Sequence, residues 1–146
     1  MDTPIVQIER KHSGIRNWFN YEIIILNHPP NSGSAEVKIE PLSYYSLTPS
    51  YPMAKALGLA DDDLTVYIDK FYPHGHRDQE PDYPHLRRGI ATQVLTRIIE
   101  DSIADGAKLL HVASKKPEMQ AFMEKQGTIY LPGYKGVHYC KLIVQL

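Results

Sequence analysis

The chain has 146 residues, 42% hydrophobic and 23% charged, which is enough apolar material for one globular core. Sixteen basic residues against 17 acidic ones leave a net charge of −1, so no general electrostatic pull toward nucleic acid or an anionic membrane is expected. The one cysteine, Cys140, excludes an internal disulfide and a cysteine-based zinc site.

The segment Met1-Asp2-Thr3-Pro4 lacks a basic stretch followed by an apolar one, so no secretory signal is expected. The longest clean apolar run, Ile23-Ile24-Ile25-Leu26, is far too short to span a bilayer. A cytoplasmic location is expected, and a homodimer is one possible assembly. Ile5–Arg10 reads as a strand and Lys11–Asn20 as a loop. Tyr21–Asn27 is a β-branched run that suits a buried strand. His28–Ser34 is dense in proline, asparagine and glycine and reads as a turn. Ala35–Glu40 alternates apolar and polar, as a strand with one wet face does. These three strands predict an antiparallel meander.

Pro41–Pro52 holds three prolines and three tyrosines, and Pro52–Leu59 predicts a short helix ended by Gly58. Asp61-Asp62-Asp63 reads as a solvated turn, because nothing in its spacing matches an ordered calcium loop. Leu64–Tyr72 predicts a strong strand. Pro73–Pro84 is a polar loop carrying His74-Gly75-His76, with His85 just after it. A His-x-His pair near carboxylates has metal-ligand character, while an exposed loop needs none.

His85-Leu86-Arg87-Arg88-Gly89-Ile90-Ala91-Thr92-Gln93-Val94-Leu95 opens the best helix. Apolar residues recur at helical spacing through Ile103, and Gly106 ends it. Gln93, Thr96, Arg97, Glu100 and Asp101 are expected on its wet face. A helix start carries partial positive charge and favours acids, yet this one has two arginines, a glycine and no acid. Free backbone N–H groups beside guanidinium groups suit a phosphate or pyrophosphate. Lys108–Ser114 follows as a strand, so strand, helix and strand form a right-handed crossover with parallel strands. Pro117 opens a further helix that Gly127 caps, and Thr128–Leu131 and Val137–Val144 read as the last strands.

Leu86-Arg87-Arg88-Gly89-Ile90-Ala91 resembles motif A of the GNAT acyltransferase superfamily, Q/R-x-x-G-x-G/A, matching at Gly89 and Ala91 and differing at Leu86. The order of elements from Leu64 onward resembles that family's cofactor half. The resemblance implies a single domain over residues 1–146, with 64–146 as the acyl-CoA-binding half and 1–63 as a divergent N-terminal half. It implies an α/β fold with a mixed, mostly antiparallel sheet, a central parallel strand pair and flanking helices. It also implies that Arg87, Arg88, Gly89, Ile90, Ala91 and Thr92 hold the pyrophosphate of acetyl-CoA or another acyl-CoA, with Lys115 and Lys116 near a coenzyme phosphate. The family's two helices between its first strands have no room between Arg10 and Tyr21. Acceptor recognition is therefore not carried over.

Acyl transfer from a thioester to an amine needs a base, an oxyanion partner and an acid for the thiolate. The family often takes the acid from a tyrosine in F-Y-E-K-x-G-F. Here the stretch is Phe122-Met123-Glu124-Lys125-Gln126-Gly127-Thr128, and the thioether of Met123 has no proton to give. Among Tyr130, Tyr134 and Tyr139, the turn residue Tyr134 is the first choice. For the base the candidates are Asp69, Tyr67, His74, His76 and His111, with Asp69 and His74 preferred. His111 in an apolar strand also suits a core role, and Cys140 has no activating partner in sequence. The expected acceptor is a small-molecule or peptide amine, whose identity the sequence does not give. Two other readings are an acyl-CoA-binding module without catalysis, and a metal-binding protein built on His74, His76 and His85.

Overall fold

A computed structural model describes residues 3–75, 77, 80–133 and 136–146. Seven strands form one mixed sheet in the order β1-β2-β3-β4-β5-β7-β6. They are β1 (Val6–His12), β2 (Trp18–Ile25), β3 (Asn31–Pro41), β4 (Leu64–Tyr72), β5 (Ala107–Ser114), β6 (Ile129–Gly133) and β7 (Gly136–Leu142). The helices are α1 (Ser50–Ala56), α2 (Ile90–Ala104) and α3 (Pro117–Glu124), with a single 3-10 turn at Leu42–Tyr45. The expected parallel pair is β4 with β5, and β5–β7 and β6–β7 are antiparallel. No described helix is long and apolar enough to cross a membrane. The chain forms two compact units, residues 1–37 with 69–101, and 38–68 with 102–146.

The first unit is built on the β1–β2 hairpin, paired from Val6↔Ile25 to His12↔Phe19. The expected loop Lys11–Asn20 is therefore strand at both ends, over Lys11–His12 and Trp18–Asn20. Asn17, with φ 66, turns the chain tightly, and the Ser13 N–H donates to the Trp18 carbonyl at 3.2 Å. Aromatic contacts reward that extension, since the Arg10 guanidinium lies 3.7 Å from the Phe19 ring centroid. Tyr21, Ile23 and Ile25 alternate into the core, and α2 contributes Ile90, Val94, Leu95 and Ile98 to the buried set.

Helix α2 also corrects an expectation. Arg97 and Asp101 are not wholly solvated. Arg97 Nε donates to Asp101 Oδ2 at 3.0 Å, and its Nη1 donates to the Ile8 carbonyl at 3.2 Å. Tyr21 Oη donates to the same Asp101 Oδ2 at 2.9 Å. Burial, then the bond to Asp101, pushes the Tyr21 phenol above its usual range.

In the second unit Leu42, Ala54, Leu59, Leu109 and Cys140 form a buried cluster, with Tyr51, Met53 and Leu57 of the α1 region packed against it. The acid triplet serves the turn into β4. Asp61 accepts from Tyr51 Oη at 2.7 Å and Lys55 Nζ at 2.9 Å, and Asp63 accepts from Lys108 Nζ at 2.8 Å. These bonds hold both carboxyls below their ordinary range. On the other helix, α3, Met123 is fully buried.

Candidate active site

The start of α2 lies in the first unit. Arg87 and Gly89 both have left-handed backbones, with φ 59 and 86. A side chain at Gly89 would be strained there, and a Cβ built on it would have no heavy atom within 4 Å, so the space before it is open. The first turn holds no acid. Arg87, Arg88, Gly89 and Thr92 are exposed, Ala91 is half-buried, and Ile90 turns into the core. The Gln93 N–H bonds the Gly89 carbonyl at 3.0 Å, so the N–H groups before Gln93 come ahead of this first helical bond. Left-handed residues at a helix start, flanked by guanidinium groups, make a concave row of donors suited to an anion.

Described residues at both ends of the preceding loop are anchored. Tyr83 Oη donates to the Pro29 carbonyl at 2.8 Å, and His85 Nε2 lies 3.1 Å from the Asn27 carbonyl. The Asn31 side-chain amide donates to the His74 carbonyl. The backbone of Gly33 lies directly against the Tyr72 and Pro73 carbonyls, and any side chain there would overlap them. That contact extends β3 back to Asn31, inside what composition alone reads as a turn.

His74 and His85 are both buried. His76 lies outside the described residues, and among the described residues no three His, Cys, Asp or Glu side chains converge as a metal site. Asp69 is exposed on β4, while Lys115 and Lys116 are exposed after β5. Tyr134 lies outside the described residues. Tyr130 is exposed, whereas Tyr139 is buried and donates to Glu124 Oε1 at 3.3 Å. Burial, and then the Glu124 charge, raise the Tyr139 phenol. Cys140 is buried, and burial pushes its thiol up, which suits packing and not attack.

A cluster in the second unit escaped the sequence reading. His111 on β5, 1% exposed, has its Nε2 3.0 Å from Nδ1 of His138 on β7. The two rings stack at 5.3 Å with 27° between planes. Tyr45 and Tyr67 meet His111 edge-on at 5.1 and 5.0 Å. Burial first, then the His138 charge, pushes His111 down to about 3. Burial also lowers His138. The register explains the meeting: His111 pairs with Cys140, and His138 lies two residues earlier, on the same face of β7. In the sequence the two histidines are 27 residues apart, with nothing to link them.

Comparison with known proteins gives a consistent fold. No family model matches, and no curated protein matches. Among solved structures, FeeM, an N-acyl amino acid synthase from uncultured soil microbes, aligns with TM-score 0.63 at 8% identity, over 97% of this chain and 92% of that one. AtaTR bound with acetyl-CoA aligns with TM-score 0.59 at 12% identity, over 98% and 95%. An acetyltransferase from Thermus thermophilus aligns with TM-score 0.52 at 19% identity, over 88% of this chain but only 66% of its own length. The seven-stranded mixed sheet, its parallel β4–β5 pair and the long α2 between them give this chain the fold of the GNAT acetyltransferases.

Proposed function

We propose that the protein is an acyl-CoA-dependent acyltransferase that moves an acetyl or other acyl group to an amine. The observation that carries this reading is the acid-free start of α2, with left-handed Arg87 and Gly89 and open space before the glycine. The solved structure of AtaTR, described as bound with acetyl-CoA on the same fold, supports it. In this reading the N–H groups of Arg88 to Thr92 take the pyrophosphate, and the acyl-CoA is a co-substrate. Asp69 or His74 takes the amine proton and Tyr134 supplies the acid. The amine belongs to a small molecule or a peptide, and the protein acts in the cytoplasm, as a monomer or a homodimer.

The test is calorimetry with acetyl-CoA, followed by a thiol-release assay over spermidine, kanamycin, glycine and a lysine-bearing peptide. Gly89→Asp places a carboxylate before the donors. It is expected to cost at least about 2 kcal/mol of acetyl-CoA binding, by analogy with a charge left unpaired at a desolvated site. Unchanged affinity in that variant removes the site assignment. For the adenosine end, Lys115→Glu with Lys116→Glu should raise the dissociation constant and flatten its salt dependence. Dephospho-coenzyme A binding as tightly as coenzyme A would end the 3′-phosphate role for these lysines.

The second reading, an acyl-CoA-binding module without turnover, is favoured by one observation. Met123, where the family often has a tyrosine, is fully buried and has no proton to give. Tight acetyl-CoA binding with no thiol release on any amine of the panel would select it.

A further inference from the structure

The exposed start of α2 runs between two buried residues. His85 and Ile90 are each 1% exposed, while Arg87, Arg88 and Gly89 between them are exposed. Ile90 is apolar and belongs to the core. A buried histidine needs a different reason, because its ring nitrogens lose water on burial. His85 Nε2 lies 3.1 Å from the Asn27 carbonyl. A carbonyl oxygen only accepts, so Nε2 carries the proton. His85 Nδ1 is buried with no hydrogen-bond partner among the described residues. A lone pair left there costs less than an unanswered N–H, so Nδ1 is the bare nitrogen of the ring.

The Asn27 carbonyl is a firm base for that bond, because the Asn27 side chain is itself tied: its Oδ1 accepts from the Ile5 N–H at 2.9 Å. Two residues on, the Pro29 carbonyl accepts from Tyr83 Oη at 2.8 Å. The Tyr83 ring stands edge-on to His85 at 5.3 Å, with the Arg77 guanidinium 4.8 Å from its centroid. The Leu86 N–H then returns to the Tyr83 carbonyl at 3.1 Å. Two side chains thus clamp the chain just before α2 to the connection between β2 and β3. All of these residues belong to the first unit. Two residues beyond His85, Arg87 holds φ 59. A residue with a side chain stays in the left-handed region only where its surroundings fix it. The ties of His85 and Leu86 supply that fixing on the N-terminal side, and buried Ile90 supplies it on the other.

We propose that His85 is a positioning residue for the coenzyme: its bond to the Asn27 carbonyl sets the left-handed turn at Arg87 and Gly89, and so aims the N–H groups from Arg88 to Thr92 at the pyrophosphate. This rests on the acyltransferase reading. In this role His85 touches no reacting atom and moves no proton. It preorganises the donors, so its loss weakens coenzyme binding and spares the chemical step.

Glutamine can place an amide N–H where Nε2–H was, and leucine cannot. The experiment is acetyl-CoA calorimetry on wild type, His85→Leu, His85→Gln and Tyr83→Phe, each also in the Gly89→Asp background, with steady-state kinetics on the best amine of the panel. His85→Leu is expected to raise the dissociation constant and KM for acetyl-CoA about tenfold with kcat kept, the worth of about one net hydrogen bond. His85→Gln should recover most of that loss. Tyr83→Phe should weaken binding in the same direction, and it tests the clamp if His85→Leu does not fold. In the Gly89→Asp background the donors are already blocked, so His85→Leu and Tyr83→Phe should cost nothing further. Nitrogen-15 spectra of the wild-type protein should find His85 protonated at Nε2 and bare at Nδ1. Wild-type affinity in folded His85→Leu or in Tyr83→Phe, equal losses in His85→Leu and His85→Gln, additive losses with Gly89→Asp, or the opposite tautomer overturns the role and leaves acyl transfer intact. A wild-type protein that binds no acetyl-CoA takes down both.

Discussion

Tyr134→Phe is expected to slow acyl transfer by about 10²–10⁴, the usual worth of a general acid, with acetyl-CoA affinity unchanged. The substitution keeps the ring and removes only the donor. Three tyrosines near the chain's end supply hydroxyls, and the structure separates two of them. Tyr139 is buried with its hydroxyl already given to Glu124, and burial raises its phenol, which makes it a weaker acid. Tyr130 is 53% exposed on β6, where its ring packs edge-on to Tyr139 at 5.8 Å. Tyr134 lies between Gly133 and Gly136 in the sequence, beside Lys135. A neighbouring cation lowers a phenol's pKa and makes it a better acid. The measurement is the pre-steady-state thiol-release rate, so that chemistry and not product release is read. Wild-type rates in Tyr134→Phe remove it as the acid. Wild-type rates in the phenylalanine variants of all three tyrosines leave unassisted departure of the thiolate.

Acidification is expected to unfold the protein through its buried histidine before its carboxylates contribute. His111 titrates at about 3 when folded, against 6.5 for a free imidazole. Above 6.5 both folded and unfolded forms are neutral, so the group adds no pH dependence. As pH falls below 6.5 the unfolded chain takes up a proton that the folded one refuses, and stability is lost until the folded value near 3 is reached. The slope is about 1.4 kcal/mol per pH unit, which amounts to about 3 kcal/mol by roughly pH 4.5. His138, also lowered by burial, acts in the same direction. Asp61 and Asp63 are held below 3.8 by their lysine and hydrogen-bond partners, so their losses come at lower pH still. Urea unfolding from pH 7.5 to 4.5 on wild type and His111→Leu checks this. The variant starts with a lower stability at neutral pH but should show a much flatter dependence. Parallel curves would place the acid loss on another group.

Local pattern alone determined much of this protein. The strand Leu64–Tyr72 has the predicted bounds, because a β-branched and aromatic run between an acid turn and a proline leaves little choice. Helix α2 and the parallel β4–β5 pair followed from a clean 3.6-residue period between two apolar strands. The absence of helices between β1 and β2 could be read from chain length alone. The acid-free start of α2 was visible directly, because residue type in a first turn needs no partner. What the sequence could not show depended on contacts across the fold. Trp18–Asn20 joined β2 because His12 and Arg10 meet Phe19 across the hairpin. Asn31–Ser34 joined β3 because Gly33 admits the Tyr72 and Pro73 carbonyls. Arg97 and Asp101 left the wet face because Tyr21, 80 residues before Asp101, puts a hydroxyl within 2.9 Å of that carboxylate. The His111–His138 pair arises only from the β5–β7 register: residue type and spacing name two histidines, but only strand pairing brings one ring nitrogen within 3.0 Å of the other.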